Sequence, residues 1–473
     1  MREHQLFLAG RWTDGEEAVE VRSPFDARVV SRIQRGSAAQ LEAAAEAAVR
    51  AENRMAALTP AERAAILGRA AHRIHERREE LALAVSEEAG KPITLARVEA
   101  DRCFDTFVES AHVARHPEVV AQDLAGFGSG SGRLALTRRV PIGPVLAITP
   151  FNFPLNLVAH KLAPAVAAGC PVVLKPASQT PSPSLMLAAI LEEAGLPEGG
   201  LSVIPSRSGN VEPLAEDERF GLLTFTGSMD VGWKLKRLAW RRPVALEMGG
   251  NAAVVVEPDV ADPEAVASRI ASAAYGYAGQ SCISVQRVLV HETAYLEMRR
   301  LLTEAADAVR HGDPADETTV CGPLIDEANA DRVADWIESA QHDGGRLLTG
   351  GERSGNVIVP TLLEEVPPDE PVVADEVFGP VAVLFAYEDF GQAIHMINDS
   401  RYGLQAGIFT SDTAKVQQAW ESVDVGGLIH NDVPTWRTDP MPYGGVKASG
   451  IGREGPIFAY REMTEERMLV LRR

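Results

Sequence analysis

The sequence predicts an α/β protein built on two doubly wound parallel sheets, with a small β arm. Two observations carry that prediction. From Val140 onward, short apolar runs alternate with stretches of helical length, and the runs are nearly continuous in apolar residues, as strands covered on both faces are. A second series of the same kind begins after Gly249. A length of 473 residues leaves room for two or three domains, and 45% hydrophobic with 24% charged side chains is ordinary for a globular chain.

The elements follow in order. Ser37-Ala38-Ala39-Gln40 is a capping-box pattern that opens an alanine-rich helix running to about Leu58. Thr59-Pro60-Ala61-Glu62 is a second such box, with proline at the first helical position, and Gly90 before Lys91-Pro92 ends the helix it begins. The basic run at 69–78 is interrupted by Glu76, Glu79 and Glu80 and reads as a salt-bridged, solvated face. Strands of the first series are expected at 145–149, 172–174, 201–204, 222–226 and 252–256, with helices at 158–168, 182–194 and 231–239 between them. The second series comprises helices at 263–277, 294–309 and 327–343 and strands at 287–290, 381–385, 407–409 and 427–429. The glycine-rich run Gly126–Gly132 turns into a strand at 133–140 that fits neither series, and a projecting hairpin is expected there.

Composition excludes several roles. With 46 basic against 66 acidic side chains, the net charge of −20 disfavours nucleic acid and anionic membrane as general partners. Four cysteines without paired spacing argue against a disulfide scaffold and a structural zinc site. No apolar run approaches the roughly 20 residues a membrane span needs, and Met1-Arg2-Glu3-His4-Gln5 lacks a signal-peptide core. The expected compartment is the cytoplasm.

Six local patterns could carry chemistry. Gly279-Gln280-Ser281-Cys282 gives a cysteine small, polar neighbours after a helix, the surroundings a nucleophilic thiolate needs. Cys103, Cys170 and Cys321 read as buried apolar residues. Glu247-Met248-Gly249-Gly250-Asn251 sets a carboxylate before two glycines that let a ligand approach. Thr149-Pro150-Phe151-Asn152 places an amide at the carboxyl end of a strand, where α/β ligand sites sit, and its NH₂ could meet a developing oxyanion. Thr226-Gly227-Ser228 leads from a strand into a helix that contains Gly232, a natural phosphate site, although neither Gly-x-Gly-x-x-Gly nor a P-loop spacing is present. Lys175-Pro176-Ala177-Ser178 follows a strand, and Glu376-Val377-Phe378 sets an acid beside an aromatic ring.

In this order, together with Pro442-Tyr443-Gly444-Gly445-Val446-Lys447, Ser449-Gly450 and Gly452-Arg453-Glu454, these patterns resemble the aldehyde dehydrogenase superfamily over nearly the whole chain. Asn431-Asp432-Val433-Pro434-Thr435 resembles its lactaldehyde dehydrogenase-like branch. The resemblance implies a Rossmann-like dinucleotide-binding domain from 1–118 and 140–246, a catalytic domain from 247–445, and an oligomerisation arm from 119–139 with the C-terminal segment 446–473. It implies oxidation of a small aldehyde to the acid by a homodimer or homotetramer with no metal.

It also implies residue roles. Cys282 is the nucleophile, Asn152 an oxyanion donor and Glu247 the base that activates the deacylating water. Thr149, Pro150, Phe151, Lys175, Ser178, Gly227, Ser228, Gly232, Glu376 and Phe378 contact the cofactor, NAD or NADP, and Lys161 is a buried lysine near the site. Three positions depart from the family's common pattern: Asn251 stands for lysine, Ser178 for glutamate, and Ser281 for an arginine that could anchor an acidic substrate. Ser178 lacks the charge that would repel a 2′-phosphate, so NADP is expected to be accepted. Two alternatives stay open, a CoA-acylating semialdehyde dehydrogenase and a cysteine hydrolase.

Overall fold

The computed structural model describes residues 1–472. Five strands form the parallel centre of an eight-stranded sheet, in the order 244–247, 222–226, 145–148, 172–175 and 201–203. Antiparallel strands close both edges: Gly450–Ile451 on 244–247, and Leu6–Leu8 followed by Arg11–Thr13 on 201–203. The second sheet has seven strands in the order 346–349, 361–364, 381–387, 285–291, 252–256, 405–409 and 427–430, all parallel except the first. Apolar cores lie on both faces of each sheet, which is why the central strands are mostly apolar on both sides.

The capping boxes do what their sequences predict. The Ser37 hydroxyl accepts from the Gln40 N–H at 3.2 Å and opens Ala38–Ala57. Thr59 accepts from Glu62 and opens Pro60–Glu76. That helix is not continuous to Gly90: Arg77 leaves helical geometry and a separate helix, Arg78–Ala89, follows. Gly90 ends it in the left-handed conformation at φ +65°.

One strand belongs elsewhere than its sequence position suggests. Ala252–Val256 pairs with Val285–His291 and Gln405–Phe409 in the second sheet, and the strand ending the first series is Val244–Glu247. The chain crosses from one sheet to the other through Met248-Gly249-Gly250-Asn251. The hairpin is present: Val119–Asp123 pairs with Arg133–Pro141, and Thr464–Arg472 joins along the whole length of the latter. No helix among the described residues is long and apolar enough to cross a membrane.

Candidate active site

In an open parallel sheet, ligands bind outside the carboxyl ends of the strands, where the order reverses. In the first sheet that point lies between 145–148 and 222–226, because the chain runs from 145–148 outward to one side and returns on the other. Pro150, Phe151 and Asn152 leave the first of these strands; Thr226, Gly227 and Ser228 leave the second; Glu247 ends the next one. The amino ends of the second sheet face them, bringing Gly249, Cys282, Glu376 and Phe378 to the same place. Together these groups line a cavity of about 270 Å³.

The first cavity has open donors. Ser228 caps Met229–Ala239, and its hydroxyl makes no capping bond. Thr226 Oγ1, in the lining, is buried without a partner, as is Thr149 Oγ1 outside it. A Cβ at Gly249 would lie 2.0 Å from Glu376 Oε2, so glycine there lets the carboxylate reach the Gly250 N–H at 3.1 Å. Burial pushes Glu376 up to about 7 against that bond and Arg332. A Cβ at Gly232 would strike Met248 Sδ at 2.2 Å, which makes this glycine a packing requirement of the helix. Lys175 ends strand 172–175, buried, and burial pushes its amine down to about 8. Thr149, Lys175 and exposed Ser178 stand outside the cavity lining. The orphaned hydroxyls and the open helix N-terminus fit a phosphate-bearing dinucleotide.

A second cavity of about 260 Å³ reaches Cys282 from the other side, and Cys282, Leu157 and Tyr443 line both. Phe153 and Ile283 line this second cavity, Phe151 lines the first, and Trp436 is 45% exposed and lines neither. Cys282 is half-buried, whereas Cys103, Cys170 and Cys321 are buried. A left-handed turn aims its loop: Tyr277, Ala278 and Gly279 have φ of 54°, 53° and 66°. Two non-glycine residues in that region store roughly 1–2 kcal/mol each. Gly279 cannot be replaced there, since a Cβ would lie 2.1 Å from the Gly379 carbonyl oxygen. The Gln280 side chain pins the loop by donating to Pro323 O at 3.1 Å and accepting from the Ile325 N–H at 2.9 Å.

Asn152 Nδ2 donates to Gln280 O at 3.0 Å, and its Oδ1 is buried without a partner. Glu247 is buried, and one of its oxygens has no partner. Burial, then Glu454, push its carboxyl well above the usual range and outweigh Lys161 and Arg437. Lys161 donates to Thr224 Oγ1 at 2.9 Å, and burial lowers its amine. Burial pushes the Cys282 thiol up to about 12, and a hydrogen bond with Tyr443 opposes it. Asn251 is structural: it donates to Val373 O at 3.0 Å and accepts from Ser400 and Arg287.

The residue patterns did not single out Lys91, Arg269 or Arg437 as cations of the second cavity. Lys91, Arg102, Arg269 and Arg437 all line it. Arg102 spends Nε and Nη2 on Asp439, and Arg269 spends the same pair on Asp432. Arg437 spends Nη2 on Glu454 and keeps a buried Nε without a partner. Lys91 pairs with buried Glu99 beneath the Phe153 ring.

The model of the aldehyde dehydrogenase family matches residues 12–469. The chain belongs to this family. A 3-sulfolactaldehyde dehydrogenase of Priestia aryabhattai is 41% identical over all of this chain and 98% of its own. A lactaldehyde dehydrogenase of Methanococcus vannielii is 35% identical over 98% of this chain and 99% of its own. Aldehyde dehydrogenase 21 from Physcomitrella patens, solved with its reaction product succinate, is 41% identical and superposes with a TM-score of 0.96 over 100% and 98% of the two chains. An NADP-dependent glyceraldehyde-3-phosphate dehydrogenase from Bacillus halodurans, solved with NADP, is 32% identical with a TM-score of 0.96 over the whole of both. The chain is an oxidoreductase acting on aldehydes, on a fold shared with NAD(P)-dependent enzymes of the same family.

Proposed function

We propose that this aldehyde dehydrogenase oxidises a short aldehyde carrying an anionic tail to the carboxylic acid, with Cys282 as nucleophile. The observation that carries the reading is the meeting of two cavities at one half-buried thiol: open phosphate donors line one approach, and three incompletely used guanidinium groups line the other. Cys282 Sγ, once deprotonated, attacks the aldehyde carbon and gives a thiohemiacetal. Asn152 Nδ2 and the Cys282 N–H stand as donors to the oxyanion. NAD or NADP held by Gly227, Ser228 and Glu376 would supply the hydride acceptor, which would leave a thioester on Cys282. Glu247 takes a proton from the water that releases the acid, a task for which its raised carboxyl is matched. Water rather than CoA is favoured as acyl acceptor because this base is present.

A carboxylate or sulfonate would bridge Arg102 and Arg437, whose guanidinium N–H groups donate to charged oxygens. The sulfolactaldehyde dehydrogenase and the succinate-bound relative support that tail. The NADP-bound relative supports acceptance of NADP beside the uncharged Ser178. The exposed apolar side chains of the arm, Val119 and Val120 on one strand and Met468 and Leu469 on another, support a homodimer or homotetramer. Four free cysteines support a reducing cytoplasm.

The test is kcat/KM for three- and four-carbon aldehydes ending in sulfonate, carboxylate or a neutral isostere, with and without CoA, in the wild type and in Arg102→Gln. Asp439 keeps His160 and Asn156 in that variant, so the fold is retained. Loss of one charge-assisted bond is worth about 1.5–3 kcal/mol, a loss of roughly 10- to 150-fold, for the anionic substrates alone. Equal losses on neutral and anionic substrates would refute the tail assignment.

A further inference from the structure

Tyr443 lies in the glycine-flanked loop Pro442-Tyr443-Gly444-Gly445, yet its side chain does something that a loop residue need not do. Its hydroxyl stands 2.7 Å from Cys282 Sγ, and among the described residues it is the one side chain hydrogen-bonded to that sulfur. Nothing about the ring is free to drift. It is buried, its N–H donates to Glu454 O at 3.0 Å, and its carbonyl accepts from the Glu454 N–H at 2.6 Å. The Arg437 guanidinium covers one face at 3.8 Å from the centroid, and Glu454 holds Arg437 there.

We propose that the Tyr443 hydroxyl donates to the Cys282 thiolate, and so sets how readily the sulfur is ionised and where it points. The proposal rests on Cys282 being the nucleophile. While sulfur keeps its proton, either atom can donate. Once the proton has left to solvent through the adjoining cavity, only the phenol can. The bond therefore survives ionisation and becomes charge-assisted, which makes it stronger for the thiolate than for the thiol. No electron is moved. One proton leaves the sulfur, and the phenol keeps its own. Burial, then the neighbouring Cys282, hold the phenol well above its ordinary range, so it keeps its proton for donation, and Arg437 over the ring opposes that shift. The other charged groups that act on the sulfur, Glu247 and Glu376, oppose its ionisation, so Tyr443 and Arg437 are the groups that favour it. When Sγ becomes a neutral thioether on attack, the hydroxyl is released.

The experiment follows alkylation of Cys282 by iodoacetamide against pH in the protein without cofactor, read by peptide mass, in the wild type and in Tyr443→Phe. Phenylalanine keeps the ring under Arg437 and removes only the hydroxyl. The midpoint is expected to rise by roughly 1–2 pH units, with alkylation below it slowed about 10- to 100-fold. The acid limb of kcat/KM should shift by the same amount. Placing 3-fluorotyrosine, a more acidic phenol, at position 443 should move the midpoint the other way, and this variant decides alone if Tyr443→Phe does not fold. An unchanged midpoint in the folded variants overturns the proposal. Turnover by Cys282→Ala would instead overturn the nucleophile reading and leave the alkylation result standing, so the two failures are distinguishable.

Discussion

Replacing Gly249 with alanine should cripple cofactor use while barely touching stability. Gly249 has no positive φ, so its backbone accepts alanine without strain. The added Cβ would lie 2.0, 2.3 and 2.5 Å from Oε2, Cδ and Oε1 of Glu376. No real Cβ sits that close, so the carboxylate must swing out and lose the Gly250 N–H. The stability change is small, because Glu376 is only partly buried and its displaced carboxylate regains water. A rotamer shift costs about 0.5–1.5 kcal/mol, and the net effect should stay near 1 kcal/mol. Function depends on where the carboxylate was. If Glu376 holds the nicotinamide ribose, loss of a charged hydrogen bond of about 1.5–3 kcal/mol raises the cofactor Kd or lowers kcat/KM by roughly 10- to 150-fold. The assay is cofactor titration by fluorescence beside steady-state kinetics, for Gly249→Ala, Glu376→Ala and the double variant. The account requires strong non-additivity, since both substitutions remove one contact. Normal cofactor affinity in folded Gly249→Ala would refute it.

Gly279→Ala should be far worse for stability, by more than about 3 kcal/mol, because its Cβ meets backbone of Gly379 in the left-handed region; chemical denaturation measures it. Glu99→Ala strands buried Lys91 and frees the N–H groups of Leu155 and Asn156, so thermal unfolding should report a loss near 3–5 kcal/mol. Ser178→Glu should reduce kcat/KM for NADP selectively, and an equal change for NAD would refute the ribose assignment.

The helices were legible where their signals are local. Ser37 and Thr59 announce their helices because a capping box closes within three residues. Cys282, Glu247 and Asn152 were legible because each carries its glycines or aromatics beside it in the chain. What was hidden is what depends on distance. Strand 244–247 is four residues long and follows Arg242-Pro243, so periodicity does not reveal it. The crossover at Gly249–Asn251 looks in sequence like any other turn, and 252–256 therefore reads as a strand of the first sheet. Tyr443 is 161 residues from the sulfur it touches, and no spacing rule connects them. The break at Arg77 interrupts a pattern that continues smoothly on both sides.

The central claim is a covalent acyl intermediate on Cys282 whose release needs Glu247. Its most direct measurement uses Glu247→Gln mixed with an anionic aldehyde and a nicotinamide cofactor, quenched within one turnover and digested for mass spectrometry. The base of the wild type must be deprotonated, and its pKa is raised, so wild-type deacylation should fade as pH drops through a value well above the ordinary carboxylate range. The glutamine variant should be arrested at all pH values. The account predicts one equivalent of reduced nicotinamide in a burst, and an acyl adduct on the peptide that contains Cys282. Reduced nicotinamide forming steadily with no adduct, or an adduct on Cys103, Cys170 or Cys321, would contradict it.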